Sequence, residues 1–417
     1  MRARLASNLV PRVATSIALP LVAAALIYLV VGYSAGAKIG RPGDPAAFIN
    51  PGENYLAPEL LPPDAYVYPQ DGYDGQLFFY LAQDPLLTGK VASRDQEYSP
   101  HIGYVTYRYQ RILLPVLGWL TSWGHPRVLE WTMPLINLIA VLGAGFLLAR
   151  WLAARGRSPW LSLVYMASIG VVVGVVNDLA DPLAASLFVA GVVWWLDRRT
   201  ALAVAALTAC LLARELYLVP VAAIALLELI RERRRALPWL IPLGVFAAWQ
   251  AYLRLTFAGP VTPDVAAKPS IVPLWGAMRK VWQVIHEDWL GAANWEILFV
   301  TLLLLISFYF LVKCIDPIDR LRRTRELPAR EQLLPVVALA SVLTVPFLTL
   351  ELWGYIPSYA RYSAPAAGML VLIYGVTRDA AARMLIIALM ALTLTNPMVA
   401  LLPYDNREAI EVPKAPP

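Results

Sequence analysis

Residues 13–33 read VATSIALPLVAAALIYLVVGY, and residues 128–148 read VLEWTMPLINLIAVLGAGFLL. Glu130 is the only carboxylate in either stretch, and neither contains a lysine or arginine. A helix rises about 1.5 Å per residue, so roughly 20 apolar residues cross the hydrocarbon core of a bilayer. Both stretches meet that length, and similar blocks recur along the chain. The whole sequence of 417 residues is 59% hydrophobic and only 15% charged, where a soluble domain carries nearer a quarter charged residues. The expected fold is all-α, a polytopic transmembrane helix bundle.

Working outward from these blocks, the spacing predicts further spans over 160–176, 182–196, 200–213, 216–230, 237–257, 295–312, 333–350, 362–377 and 384–402. That makes about eleven spans in a single integral membrane domain over 1–417, several of them short enough to demand tilt or local thinning. Between the first two blocks lies a polar segment over 34–127, rich in Pro, Tyr and Asp, read as one long outer loop carrying interfacial helices. The tail over 403–417 is polar, and from Asn406 onward it is expected to be loosely ordered. Ser34-Ala35-Gly36-Ala37 faintly resembles a signal-peptidase site, but the preceding apolar stretch is long for a signal and is read as a retained span.

Charge sets the orientation. The net charge of +6 comes from basic residues in the short loops, a membrane pattern rather than a nucleic-acid footprint. Arg2, Arg4 and Arg12 place the N-terminus in the cytoplasm. The stretch Ile112 to Trp123 decides the rest. If it crossed, Arg150, Arg155, Arg157 and the 231–235 cluster would face out. If it lies in the interface, those clusters face in, together with Arg198/Arg199, the basic residues of 320–330 and Arg378/Arg383. It is therefore read as an interfacial amphipathic helix. The expectation is a multi-pass protein of a bacterial inner or plasma membrane, with its polar chemistry on the outer face.

Ionisable residues at membrane depth are costly, and so mark candidate sites. In Asp71-Gly72-Tyr73-Asp74-Gly75 two carboxylates precede an aromatic helix; each could equally form a turn, and Asp74 could cap the helix. Asp178 and Asp181 lie on the turn before Pro182, where Asp181 reads either as an N-cap or as a functional acid. Arg214-Glu215 separates two apolar half-blocks and reads as an intramembrane ion pair at a tight turn. Arg361 opens a late span beside Tyr359 and Tyr362, and arginine suits a phosphate. Arg108 and Arg111 are alternative phosphate contacts. His101, His125 and His286 are scattered without ligand spacing, and Cys210 and Cys314 offer no disulfide framework, so no metal ligands are assigned. Phosphate-cradling glycine loops, a nucleophile elbow, HExxH and a Rossmann fingerprint are all missing from the sequence.

This arrangement resembles the GT-C superfamily of polyprenyl-phosphate-sugar-dependent glycosyltransferases, closest to bacterial membrane proteins of cell-surface glycopolymer formation. The resemblance rests on Asp74 followed by Gln76 to Ala82, an interfacial helix over Tyr109 to Gly124, Asp181 as the second acid, and Arg361-Tyr362. Gly75 stands where related families often have Glu, which leaves use of a divalent cation (Mg or Mn) open. The resemblance implies a sugar donor carried on a lipid phosphate and a glycan, lipid or protein acceptor. It assigns Asp74 as the base, with Asp71 as the alternative. Arg361 becomes the phosphate clamp, and Asp181 orients the acceptor or helps hold a metal. The rival readings are a transporter or flippase of a lipid-linked sugar, and a non-catalytic scaffold of a glycan assembly complex.

Overall fold

The computed structural model describes residues 2–38, 41–68, 72–233, 236–259, 272–287, 293–324, 327–347, 360–395 and 410–411. Asp71 and Tyr359 lie outside them. The described residues are mostly helical, as expected of apolar blocks whose backbone groups must be satisfied within the segment. Among the described residues, four helical stretches are long and apolar enough to cross a membrane: Ile17–Ala37, Pro126–Ala154, Ile297–Thr324 and Arg330–Phe347. The first lies within α1 (Arg2–Lys38), and the second is α5 (Pro126–Ala154).

The block expected to form one span over 160–176 is a broken one. Its halves, Pro159–Met166 and Ile169–Val176, meet at 52°. We call their helices α6 (Ser162–Met166) and α7 (Ile169–Val176). The break releases carbonyls that a continuous helix would satisfy. Tyr28 donates its hydroxyl to one of them, Met166 O, at 2.7 Å. Gly170 then lets α7 press against the backbone at Ala360, where an added Cβ would lie 2.2 Å from the carbonyl oxygen.

The later helices are α8 (Asp181–Leu196), α9 (Thr200–Ala213), α10 (Leu218–Arg231), α11 (Leu237–Thr256), α12 (Trp275–Glu287), α13 (Ala293–Lys313), α14 (Ile315–Thr324), α15 (Arg330–Val342), α16 (Ser363–Thr377) and α17 (Ala380–Thr395). At the centre α8 is apolar all round, with Phe188, Val189 and Trp195 fully buried, so its neighbours rather than lipid surround it.

Contacts sort the helix ends into two polar layers. At one layer Arg155 faces Asp197 at 3.7 Å, Arg157 donates to Gly375 O, and Lys313 pairs with Asp379. Arg330 grips Glu228 and also donates to Trp195 O. We call this the basic end. The opposite layer holds the segment between α1 and α5, together with the turns at Asn177–Ala180 and Arg214–Tyr217; this is the loop end. Helices α8, α9 and α16 run between the layers with 16, 14 and 15 residues. Those lengths correspond to about 24, 21 and 22 Å, short of a hydrocarbon core of about 30 Å. The segment between α1 and α5 roofs the turns at the loop end.

That roof contains α2 (Asp74–Leu81), the hairpin of β2 (Tyr98–Ser99) with β3 (Gly103–Tyr104), α3 (Val105–Tyr109) and α4 (Leu113–Ser122). Two buried polar side chains hold it together. Gln76 donates to Gly52 O, Tyr55 O and the Tyr80 hydroxyl, and accepts from Gly52 N. Asp84 accepts from the backbone of Thr88, Lys90 and Val91. The ten residues of α4 rise about 15 Å, half a hydrocarbon core. Its Gly118 face packs on Leu129, Met133 and Ala82, while Leu120 and Trp123 are exposed. The chain then reverses through left-handed Trp123 and Gly124 (φ 53° and 71°) into α5, and Arg127 lies 3.9 Å from Asp64 of the roof. Of the tail over 403–417, the described residues are Ile410–Glu411, which form β4, antiparallel to β1 (Tyr66–Val67) of the roof.

Candidate functional site

Seven of the residues singled out in the sequence converge beneath the roof. Asp74 opens α2, and its N-cap is Tyr73 with no side-chain cap bond, so Asp74 does not serve as the cap. Its carboxylate turns instead toward arginines. Arg108 Nη1 donates to Asp74 Oδ1 at 3.0 Å, with Arg361 Nη1 at 3.7 Å and Arg111 Nη1 at 4.0 Å from Oδ2. Asp181 is likewise the first residue of its helix and makes no capping bond. It lies 3.4 Å from Arg214 Nε and 3.8 Å from Arg361 Nη1. Arg361 thus stands between the two acids.

The sequence suggests that Arg214 and Glu215 pair with each other. They diverge, because the backbone leaves α9 extended at Arg214 before the 3-10 turn Glu215–Tyr217. Arg214 reaches Asp181, while Glu215 takes Arg111 along one guanidinium edge, with Nη2 at 2.7 Å and Nε at 3.0 Å. A bidentate guanidinium–carboxylate pair of this kind fixes orientation as well as charge.

Neutral residues that the sequence reading passed over position these groups. Tyr107 accepts from Arg111 Nη2 at 3.1 Å, and its ring lies 5.3 Å from the Arg108 guanidinium carbon. Arg361 lies over the Tyr73 ring at 5.8 Å. Asn50 donates to Asn177 Oδ1 at 2.8 Å and so ties the roof to the second acidic turn. Gly75 explains its own identity. A Cβ there would sit 2.3 Å from Asn177 O and 3.0 Å from Ile49 O, which leaves no room for a side chain.

Four guanidiniums face three carboxylates, leaving one positive charge in excess in a largely buried setting. The Arg214 side chain is 5% exposed and Asp74, the most open of the set, 26%. Burial pushes the Asp74 carboxyl up, but Arg108, Arg361, Arg111 and Arg214 outweigh it and hold the group well below the usual carboxylate range. Glu215 is lowered to about 2 by the same contest, with burial opposed chiefly by Arg111. Among the described residues, Arg214 Nε and Nη1 and Asp181 Oδ2 make no hydrogen bond. Those buried atoms retain capacity for a ligand.

Asp178 does not join the cluster. It is fully buried in a left-handed turn (φ 46°), burial pushes its carboxyl up, and neither oxygen is hydrogen-bonded among the described residues. The described residues contain no group of three or more His, Cys, Asp or Glu arranged to hold a metal. The acids of the site are instead interleaved with arginines. No family model, curated protein or solved structure matches the chain.

Proposed function

We propose that the chain is a membrane glycosyltransferase that moves a sugar from a polyprenyl-phosphate donor to an envelope glycan, glycolipid or protein acceptor. The observation that carries this reading is Arg361 set between Asp74 and Asp181, within a cationic cluster sunk under the roof. A leaving lipid phosphate needs fixed positive charge, and four guanidiniums supply it. An attacking hydroxyl needs a base within reach, and Asp74 is the most open carboxylate of the set.

In the reaction the acceptor oxygen forms a bond to the anomeric carbon as the bond from that carbon to the phosphate oxygen breaks. The acceptor proton passes to Asp74, and the lipid phosphate leaves with the bonding electrons. One displacement inverts the anomeric centre. The ion pairs make this ordered. While Arg108, Arg361 and Arg111 surround Asp74, they hold its carboxyl well below the usual carboxylate range and weaken it as a base. A donor phosphate competes for those guanidiniums and adds negative charge, which raises the proton affinity of Asp74 at the moment a base is needed. Asp181 and Arg214 then orient the acceptor or the sugar ring.

The same reading orders the topology. Eleven traverses join the basic end to the loop end, with α6 and α7 forming one of them. The basic end faces the cytoplasm by the positive-inside rule. The roof and the cluster face outward, α4 lies in the outer interface, and both polar layers border the bilayer of a bacterial inner or plasma membrane.

A cryo-EM structure with a non-transferable polyprenyl-phosphate sugar analogue tests the assignment. The phosphate is expected within hydrogen-bond reach of Arg361, with the sugar toward Asp74. An analogue lodged elsewhere, or along a path from one polar end to the other, refutes it and favours the transporter reading.

A further inference from the structure

At the basic end, well away from the cluster, a groove of about 870 Å³ opens between α6 and α17. On α17 its wall is Arg383, Ile386, Ile387, Met390, Ala391 and Leu394, a single stripe of helical spacing. The facing wall comes from Trp160, Leu161, Leu163 and Val164. Apolar side chains line most of its height, and three arginines, Arg157, Arg378 and Arg383, gather at one end. No carboxylate lines it among the described residues. Asp379, next to Arg378, is taken by Lys313.

The dimensions match one lipid chain. From Arg383 to Leu394 the wall rises about 17 Å, close to the depth of a single leaflet, half of about 30 Å. The arginines then stand at headgroup level, with Trp160 half exposed among them as an interfacial ring. Arg361 and Arg378 are 17 residues apart along α16, about 25 Å, so this groove is separate from the phosphate cluster.

We infer that the groove binds an anionic glycerophospholipid of the leaflet on the basic side, its phosphate on Arg157, Arg378 and Arg383 and one acyl chain along α17. Basic pockets between membrane helices on the cytoplasmic side suit such headgroups, and the apolar stripe supplies what a soluble phosphate would not need. The inference stands apart from the transfer reaction. It would hold equally if the cluster under the roof did other work.

The test is lipid retention by the full chain released from nanodiscs and measured by native mass spectrometry. Dioleoylphosphatidylglycerol is compared with dioleoylphosphatidylcholine. The wild type is expected to keep the anionic lipid preferentially. Arg378 and Arg383 are both exposed, so Arg378→Gln with Arg383→Gln should leave folding intact. At about fivefold for each basic residue, the pair should cut the preference on the order of 25-fold. Ile387→Trp, which fills the groove but spares the arginines, should also lower retention. Equal retention of both lipids by the wild type overturns the inference, as does an undiminished preference in the double variant. Displacement of the lipid by sn-glycerol 3-phosphate would show a phosphate site without a chain groove, and unchanged retention in Ile387→Trp would remove the acyl chain from α17.

Discussion

Replacing Asp74 by Asn separates a structural carboxylate from a chemical one. The change is nearly isosteric and leaves an amide oxygen where Oδ1 accepts from Arg108 at 3.0 Å. What it removes is one negative charge among four guanidiniums. A hydrogen bond between charged groups contributes about 1.5–3 kcal/mol, and Asn keeps the neutral part of it, so the stability cost should be about 1 kcal/mol. That corresponds to only a few degrees in Tm for a chain this long. Loss of the base should lower transfer by roughly 10²–10⁴-fold. Donor affinity should hold or tighten, because the phosphate no longer competes with Asp74 for Arg108, Arg111 and Arg361. The assay pairs a thermal melt in detergent with donor binding and transfer rate on the same preparation. A folded Asp74→Asn variant that transfers within a few fold of wild type would refute the assignment of the base. A variant that loses donor binding and activity together would show Asp74 to be only a scaffold for the arginines.

Arg361→Ala removes the cation between the two acids, and donor affinity should fall by about 1.5–3 kcal/mol, tenfold or more in Kd; unchanged affinity in a well-folded variant would make Arg361 a structural residue alone. Gly75→Ala forces a methyl against Asn177 O, and the overpacking should cost about 1–3 kcal/mol while displacing Asp74 from Asp181. Since misplacement by about 1 Å can cost 10²-fold in rate, a Gly75→Ala variant with full activity would show that this close approach does not position the acids. Single cysteines at positions 108 and 127 should both react with a membrane-impermeant reagent added outside the cell, because in the proposed topology α4 does not carry the chain across; labelling of position 127 only from the cytoplasmic side would contradict that topology.

The residues of the site were legible because ionisable side chains stand out against apolar blocks. Asp74, Asp181, Arg214, Glu215 and Arg361 are conspicuous for that reason alone, and the structure gathers them from segments up to 287 positions apart. Their partners were not legible. Nothing local tells Arg214 to choose Asp181 over its neighbour Glu215; the extended backbone between α9 and the following turn decides it. The neutral braces were hidden for a related reason. Asn50, Asn177, Tyr73 and Tyr107 are ordinary in polar loops, and only tertiary packing makes them significant. The break between α6 and α7 also left little trace, since hydropathy runs unbroken across Ala167 and Ser168. The contacts that accompany it, from the Tyr28 hydroxyl and the close approach of Gly170 to Ala360, are at long range. The 34–127 segment gives the reverse case. Charge logic applied to distant loops reads Ile112 to Trp123 as interfacial; the structure makes Leu113–Ser122 a helix of ten residues and sets Arg127 3.9 Å from Asp64 of the roof.

The most direct test of the account is turnover by the purified protein in proteoliposomes supplied with polyprenyl-phosphate sugars and a crude envelope glycan acceptor. The account expects acceptor-dependent release of polyprenyl phosphate, a product with inverted anomeric configuration, and loss of both with Asp74→Asn. Movement of an intact donor across the bilayer without cleavage of the bond between sugar and phosphate would contradict it.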